Sequence, residues 1–296
     1  MTFLQAIVMG IVQGLTEFIP ISSTAHLVFA SRLAELYAND AMQAQKITAT
    51  IAVLQLGTLA AVFSYFAKDV LNISVAFVRD NLALLLGKRK DFLRTDLPLG
   101  FSQEAWLGWL IIIGSIPVGI VGLLFKEQIE GTFTKNLWVI ATMMVVIALL
   151  LIVAEVVGKR KIGMEQLGVV DALAVGIAQV LSLIPGASRS GSTIMGGLLA
   201  GQERETAARF SFLLSIPAIA ASGLLELKEA IEILPKETFL PLIVGTIVSG
   251  IVGYASIWFL LRYLRTRSLG IFISYRLVVG IAILVLLYLG IISPLA

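Results

Sequence analysis

Six stretches of this chain run for about twenty residues with almost no charge, and this feature decides what solvent the chain can fold in. A helix rises about 1.5 Å per residue, so roughly 20 apolar residues are needed to cross a hydrocarbon layer ~30 Å thick. The stretches are 47–66, 104–125, 136–157, 206–226, 238–261 and 275–293, bounded by charge or turn residues such as Lys68-Asp69 and Gly158-Lys159-Arg160-Lys161. They are apolar all round, whereas the strands of a membrane barrel alternate in polarity over about 10 residues. The expected fold is therefore an all-α integral membrane protein with six transmembrane helices. Composition agrees: charged residues are 14%, against about 25% in soluble proteins, and mean hydropathy is +0.96. With no cysteine and a net charge of only +3, a soluble domain, a disordered chain, a disulfide scaffold and a nucleic-acid binder are all excluded.

Two further apolar stretches, 3–34 and 169–201, are each broken in the middle by proline, at Pro20 and Pro185. Neither half is long enough to span, so each stretch reads as a re-entrant helix-turn-helix hairpin. The first is not a signal peptide: it lacks a basic leader and carries Gln13 and Glu17 inside its apolar part. Residues 69–86 hold Asp69, Asn72, Arg79, Asp80 and Asn81 among leucines and read as an amphipathic helix at the interface.

The hairpins resemble each other. Gly10, Ile11, Gln13 and Leu15 align with Gly176, Ile177, Gln179 and Leu181. After one gap Ile19-Pro20 aligns with Ile184-Pro185, and both then run into Ser/Thr. A hairpin followed by three spans occurs twice, so 1–296 is expected to be one membrane domain of two repeats, 1–157 and 158–296. Because a hairpin returns to its own side, the odd number of crossings makes this an inverted-topology repeat. One face would hold Arg32, Lys46, Lys126, Lys135, Lys228 and Lys236. The other, comprising 67–103, 158–205 and 262–276, would hold 14 Lys/Arg, Arg189 within its hairpin left out. The positive-inside rule puts the second face in the cytoplasm, with both termini and the mouth of the first hairpin outside.

Ionisable groups inside a membrane are costly and usually functional. Gln13 and Glu17 share a helix face, as do Ser23 and His26, the only histidine of the chain. In 185–193, Pro-Gly-Ala-Ser-Arg-Ser-Gly-Ser-Thr, Ser188, Ser190 and Thr193 offer hydroxyls at a helix N-terminus, Gly191 permits close approach, and Arg189 adds a forked donor. Together they describe a phosphate cradle. Ser22, Ser23 and Thr24 repeat the arrangement without the arginine. Too few ligands are present for a zinc cage, but a hard divalent cation, Mg²⁺ or Ca²⁺, could be held by Glu17, other oxygens, waters and substrate phosphates. A phosphate site beside Ser and His within a membrane suggests phosphoryl transfer from a lipid. One histidine is too few for the acid-phosphatase-like lipid phosphatases, and no cysteine excludes the cysteine-based ones.

Residues 13–27 (Q-G-L-T-E-F-I-P-I-S-S-T-A-H-L) and 185–193 (P-G-A-S-R-S-G-S-T) resemble the two signature motifs of the undecaprenyl-diphosphate phosphatases of the bacitracin-resistance type, and length and span count agree over essentially the whole chain. Gln13 stands where many members have Glu, and Ala25 where Gly is common. The resemblance implies a plasma-membrane hydrolase that converts undecaprenyl diphosphate to the monophosphate, recycling the carrier of cell-wall synthesis and conferring bacitracin resistance. It also implies use of a divalent cation and a site open to the extracytoplasmic side. On this reading Ser23 is the nucleophile, Glu17 the base or metal ligand oriented by Gln13, and His26 the proton shuttle or a rival nucleophile. Arg189 stabilises the transferring phosphoryl group, with Ser188, Ser190, Gly191 and Thr193 around it, while Gln13, Ser22 and Thr24 complete the phosphate-binding set. The alternative is a lipid-phosphate flippase using the same anion site. The partners expected are an isoprenoid diphosphate and the bilayer. A homodimer is left open, since small-residue runs such as Gly196-Gly197 could pack helices closely.

Overall fold

A computed structural model describes residues 1–38, 40, 42–87, 97–125 and 136–294, without the side chains of 224, 225 and 229. In chain order the helices are α1 (Phe3–Phe18), α2 (Ser23–Leu33), α3 (Gln43–Tyr65), α4 (Ala67–Leu85), α5 (Gln103–Leu124), α6 (Leu137–Val157), α7 (Val169–Val180), α8 (Arg189–Leu199), α9 (Arg204–Ile233), α10 (Phe239–Leu264) and α11 (Gly270–Tyr288). Short 3₁₀ turns join some of them. Among the described residues there is no strand; Ile162 and Gln202 form an isolated bridge. Six helices, α3, α5, α6, α9, α10 and α11, are long and apolar enough to cross a membrane.

The six expected spans are therefore present, with several ends shifted by three to seven residues, two of which matter here. α9 runs seven residues past 226, to Ile233, and α11 starts at Gly270, five residues before 275. The second shift corrects the charge count. Arg276, taken above as a loop cation, lies inside α11 and is fully buried. The loop cations at 88–94, with Lys126 and Lys135, lie outside the described residues. The amphipathic helix is α4, with Asn72 and Arg79 exposed and Asp80 turned inward. Leu71, Val75, Val78, Leu82 and Leu85 face outward, while Asp80 is buried and accepts from Ser102 N–H at 2.8 Å and Arg79 Nε at 2.8 Å.

Both proline-broken stretches form a helix, a break and a second helix, α1–α2 and α7–α8. The physical cause is local: the residue before proline is pushed out of the helical region. Ile19 (φ −68°, ψ 132°) and Ile184 (φ −88°, ψ 122°) are both extended.

Lipid tails are as apolar as leucine, so helices in a membrane associate by close packing rather than by escape from water, and small residues let backbones touch. Gly10 of α1 lies on Gly245 of α10, where an added Cβ would sit 2.3 Å from the Gly245 carbonyl oxygen. Gly176 of α7 lies on Gly114 of α5, where the Cβ would sit 2.2 Å from that carbonyl oxygen. Gly10 and Gly176 are the positions that the hairpin alignment equates. Each proline-broken stretch thus packs by the aligned glycine onto a glycine of an apolar helix distant in sequence. The Gly196-Gly197 pair is used within the subunit: Gly196 packs on Ala178 and the carbonyl of Ala174, and Gly197 on Gln202 and Ala207. It is not available to a second copy.

Gly176→Ala puts a methyl group against backbone that cannot yield, and overpacking of this kind costs about 1–3 kcal/mol. We expect a lower thermal unfolding midpoint in detergent. Gly119→Ala, inside α5 with a Cβ that meets nothing within 4 Å, should not lower the midpoint, since alanine is the better helix former.

Candidate active site

The two breaks are built alike. Ser22 (φ 78°) and Ser188 (φ 71°) both hold the positive φ that non-glycine residues avoid, at a strain of order 1–3 kcal/mol each. Each caps the helix that follows: Ser22 Oγ accepts from Ala25 N–H at 3.5 Å and Ser188 Oγ from Gly191 N–H at 3.2 Å. In the second break Gly186 (φ 90°) passes so close to α6 that a Cβ would lie 2.1 Å from the Ile140 carbonyl oxygen, so only glycine fits.

The breaks meet in space. Ser190 Oγ donates to the Ile19 carbonyl at 3.4 Å and lies 3.2 Å from Ser188 Oγ. Arg189 Nη2 donates to Glu17 Oε1 at 2.5 Å, joining positions 172 residues apart. Both side chains are nearly buried, at 15% and 7% exposure. Gln13 Nε2 donates to the other carboxylate oxygen at 3.1 Å, and Gln55 Nε2 of α3 approaches Oε1 at 3.5 Å. Gln13 Oε1 is buried with no hydrogen-bond partner among the described residues. Its repeat counterpart Gln179 has no partner for either amide atom, because Leu183 stands four residues on where Glu17 follows Gln13. The backbone architecture is duplicated and the chemistry is not.

Around this pair Ser23 is half-buried at the first position of α2 and Thr24 is exposed. Gly191 and Ser190 are buried in the first turn of α8. Thr193 is buried deeper. Its hydroxyl donates to the Arg189 carbonyl at 2.7 Å and pairs with Ser211 Oγ at 2.5 Å, so it braces the cradle from behind. His26 stands one turn along α2, with Nδ1 2.7 Å from the Ser22 carbonyl and Nε2 2.7 Å from Tyr275 Oη. It forms part of the wall of a groove of about 780 Å³ between α1, α2 and α11, otherwise lined mainly by apolar groups such as Val8, Val12 and Phe29.

Three residues of this region escaped the sequence reading. Arg276 is 0% exposed and donates to five backbone carbonyls, those of Pro20, Gly186, Ala187, Met143 and Met144, at 2.9–3.4 Å. Its signal was available, because a charge six residues into an apolar helix can be recognised as intramembrane. Tyr275 and Gln55 gave no signal beyond ordinary interfacial or small-polar content.

The family described as bacitracin resistance protein BacA matches residues 6–282. The chain belongs to that family. It is 48% identical to an undecaprenyl-diphosphatase of Syntrophobacter fumaroxidans over 96% of this chain and 97% of that one. It is 44% identical to an undecaprenyl-diphosphatase of Chlorobaculum tepidum over 99% of this chain and 100% of that one. The same identity holds for an undecaprenyl-diphosphatase of Nocardia farcinica, over 99% and 98%. In this BacA-family chain both motifs that carried the resemblance fall at the two breaks.

Removing one partner of a buried ion pair leaves the other charge uncompensated, at about 3–5 kcal/mol, whereas replacing both is close to neutral. Arg189→Met alone should lower the thermal midpoint in detergent more than Glu17→Gln/Arg189→Met together.

Proposed function

We propose that this protein hydrolyses undecaprenyl diphosphate to undecaprenyl phosphate and inorganic phosphate, recycling the lipid carrier of cell-wall synthesis and conferring bacitracin resistance. The observation that carries the reading is the Glu17–Arg189 pair, which brings the two motifs of a BacA-family chain to one buried point. Arg189, the hydroxyls of Ser188 and Ser190, and the free N–H groups at the start of α8 receive the phosphate oxygens, where helix N-termini and guanidinium both favour anions. Ser23 attacks the terminal phosphorus, the anhydride P–O bond breaks with undecaprenyl phosphate leaving, and water then hydrolyses the phosphoserine to release inorganic phosphate. His26 carries the proton from the serine hydroxyl, and Glu17, held by Gln13, pairs with Arg189. The isoprenoid chain suits the apolar groove that His26 flanks.

Among the described residues no three His, Cys, Asp or Glu side chains cluster to hold a metal. A divalent cation fits here only as one shared with the substrate. The Glu17 carboxylate and the unpartnered Gln13 Oε1 are the donors of this chain, and the ion would supply charge neutralisation at the diphosphate. The flippase reading has no observation in its favour beyond a helical fold with broken helices, and the relatives are named as diphosphatases.

The hairpins are re-entrant and the repeats inverted on this reading, supported by the matched Gly10 and Gly176 contacts and the matched caps at Ser22 and Ser188. Both termini then lie on the extracytoplasmic side of the plasma membrane. The chain has no cysteine, so single cysteines report orientation. Lys228→Cys should react with an impermeant thiol reagent on intact cells and Lys161→Cys should not; the opposite pattern reverses the topology.

The activity itself is tested by phosphate release from undecaprenyl diphosphate with purified protein in detergent, with and without Mg²⁺ or Ca²⁺. Arg189→Ala should reduce the rate roughly 10²–10³-fold, the usual loss for one charge-stabilising donor. Near-wild-type release by that variant rejects the cradle. Ser23→Ala abolishing turnover while His26→Ala retains a residue of it supports serine as nucleophile; the reverse assigns histidine.

A further inference from the structure

His26 is fixed at both ring nitrogens. The Ser22 carbonyl can only accept, so Nδ1 carries the proton. In a neutral imidazole that tautomer leaves Nε2 with the one bare lone pair, and Tyr275 Oη, at 2.7 Å, donates to it. The two rings also stack, with centroids 5.6 Å apart and planes 14° from parallel. Tyr275 is 249 residues from His26 in sequence, yet its placement is rigid. The next residue on α11 is Arg276, anchored to carbonyls of both breaks and of α6. Adjacent helix positions point about 100° apart, so α11 sends one side chain into the join of the breaks and the next to the imidazole.

We propose that Tyr275 is a positioning residue for His26: its hydroxyl, donating to Nε2, and its stacked ring hold the imidazole with Nδ1–H on the Ser22 carbonyl, and the hydroxyl turns to accept from Nε2–H when that nitrogen takes up the serine proton. The inference rests on the phosphatase reading for its kinetic consequence and on the geometry alone for the contact. No family motif quoted above includes position 275. Tyr275 borders the apolar groove as well, so the rival role is a contact to the lipid chain, and the two roles separate in the kinetics.

Because His26 is the only histidine, protein labelled with ¹⁵N-histidine gives one imidazole without assignment. The wild type should show a protonated Nδ1 and a bare, hydrogen-bonded Nε2. Tyr275→Phe, which keeps the ring, should move only the Nε2 resonance, toward that of a nitrogen with no donor. A wild-type ring protonated on Nε2, or an Nε2 resonance that the substitution leaves in place, overturns the proposal. In the phosphate-release assay Tyr275→Phe should lower kcat roughly tenfold with KM within about twofold. Tyr275→Leu, losing the stacking too, should approach the hundredfold that about 1 Å of misplacement costs. On the residual rate of His26→Ala, adding Tyr275→Phe should change nothing. A raised KM with unchanged kcat makes Tyr275 a substrate contact and rejects the positioning role. If the wild type releases no phosphate, the phosphatase reading fails, and the contact then stands or falls on the nitrogen spectrum.

Discussion

Everything at the centre of this molecule depends on one buried guanidinium. Prolines 20 and 185 break two helices inside an apolar bundle, and a broken helix exposes carbonyls that would have accepted from the next turn. In a membrane no water is present to satisfy them, and each orphan costs several kcal/mol. Arg276 supplies the missing donors, to the carbonyls of Pro20, Gly186 and Ala187, and reaches two more on α6. The arrangement solves two problems together. An arginine in an apolar interior needs acceptors for its five N–H groups, and two helix breaks need donors. Each is costly alone, and together they fix the breaks against each other.

That fixed junction sets the chemistry. With the breaks held together, the first residue of α8 places its guanidinium on the carboxylate at the end of α1. The glycine contacts at Gly10 and Gly176 set the same geometry from outside, packing each proline-broken stretch onto an apolar helix distant in sequence. The repeated backbone gives two matched caps and two matched glycine contacts. The side chains then break the symmetry: Glu17 follows Gln13, whereas Leu183 follows Gln179, so only one polar centre results from two similar hairpins. Two breaks of like backbone form with one charge pair between them make a single asymmetric site at their junction.

Much of this was legible from the residues in order. The spans, both breaks, the hairpin resemblance and the pairing of Gln13 with Glu17 all follow from short-range rules, namely bilayer thickness, the steric effect of proline on its predecessor, and the four-residue helical repeat. The shortfalls share one cause. Arg276 was counted with the cations of the 262–276 loop, and its partners lie up to 256 residues away. Asp80 was read only as one polar residue of an interfacial helix, and it is buried where Ser102 and Arg79 donate to it. Thr193 was grouped with the open cradle, and its hydroxyl is committed to Ser211 on α9.

The sequence by itself determined the solvent, the number of apolar helices and the places where two of them break, because each rests on interactions within a few residues. Only the tertiary structure decided which cation meets Glu17, what holds the two breaks together and what meets Nε2 of His26. Those are contacts between groups 90 to 256 residues apart. Local periodicity carries no information about such pairs, since it places a side chain on a helix face and leaves the facing helix unspecified.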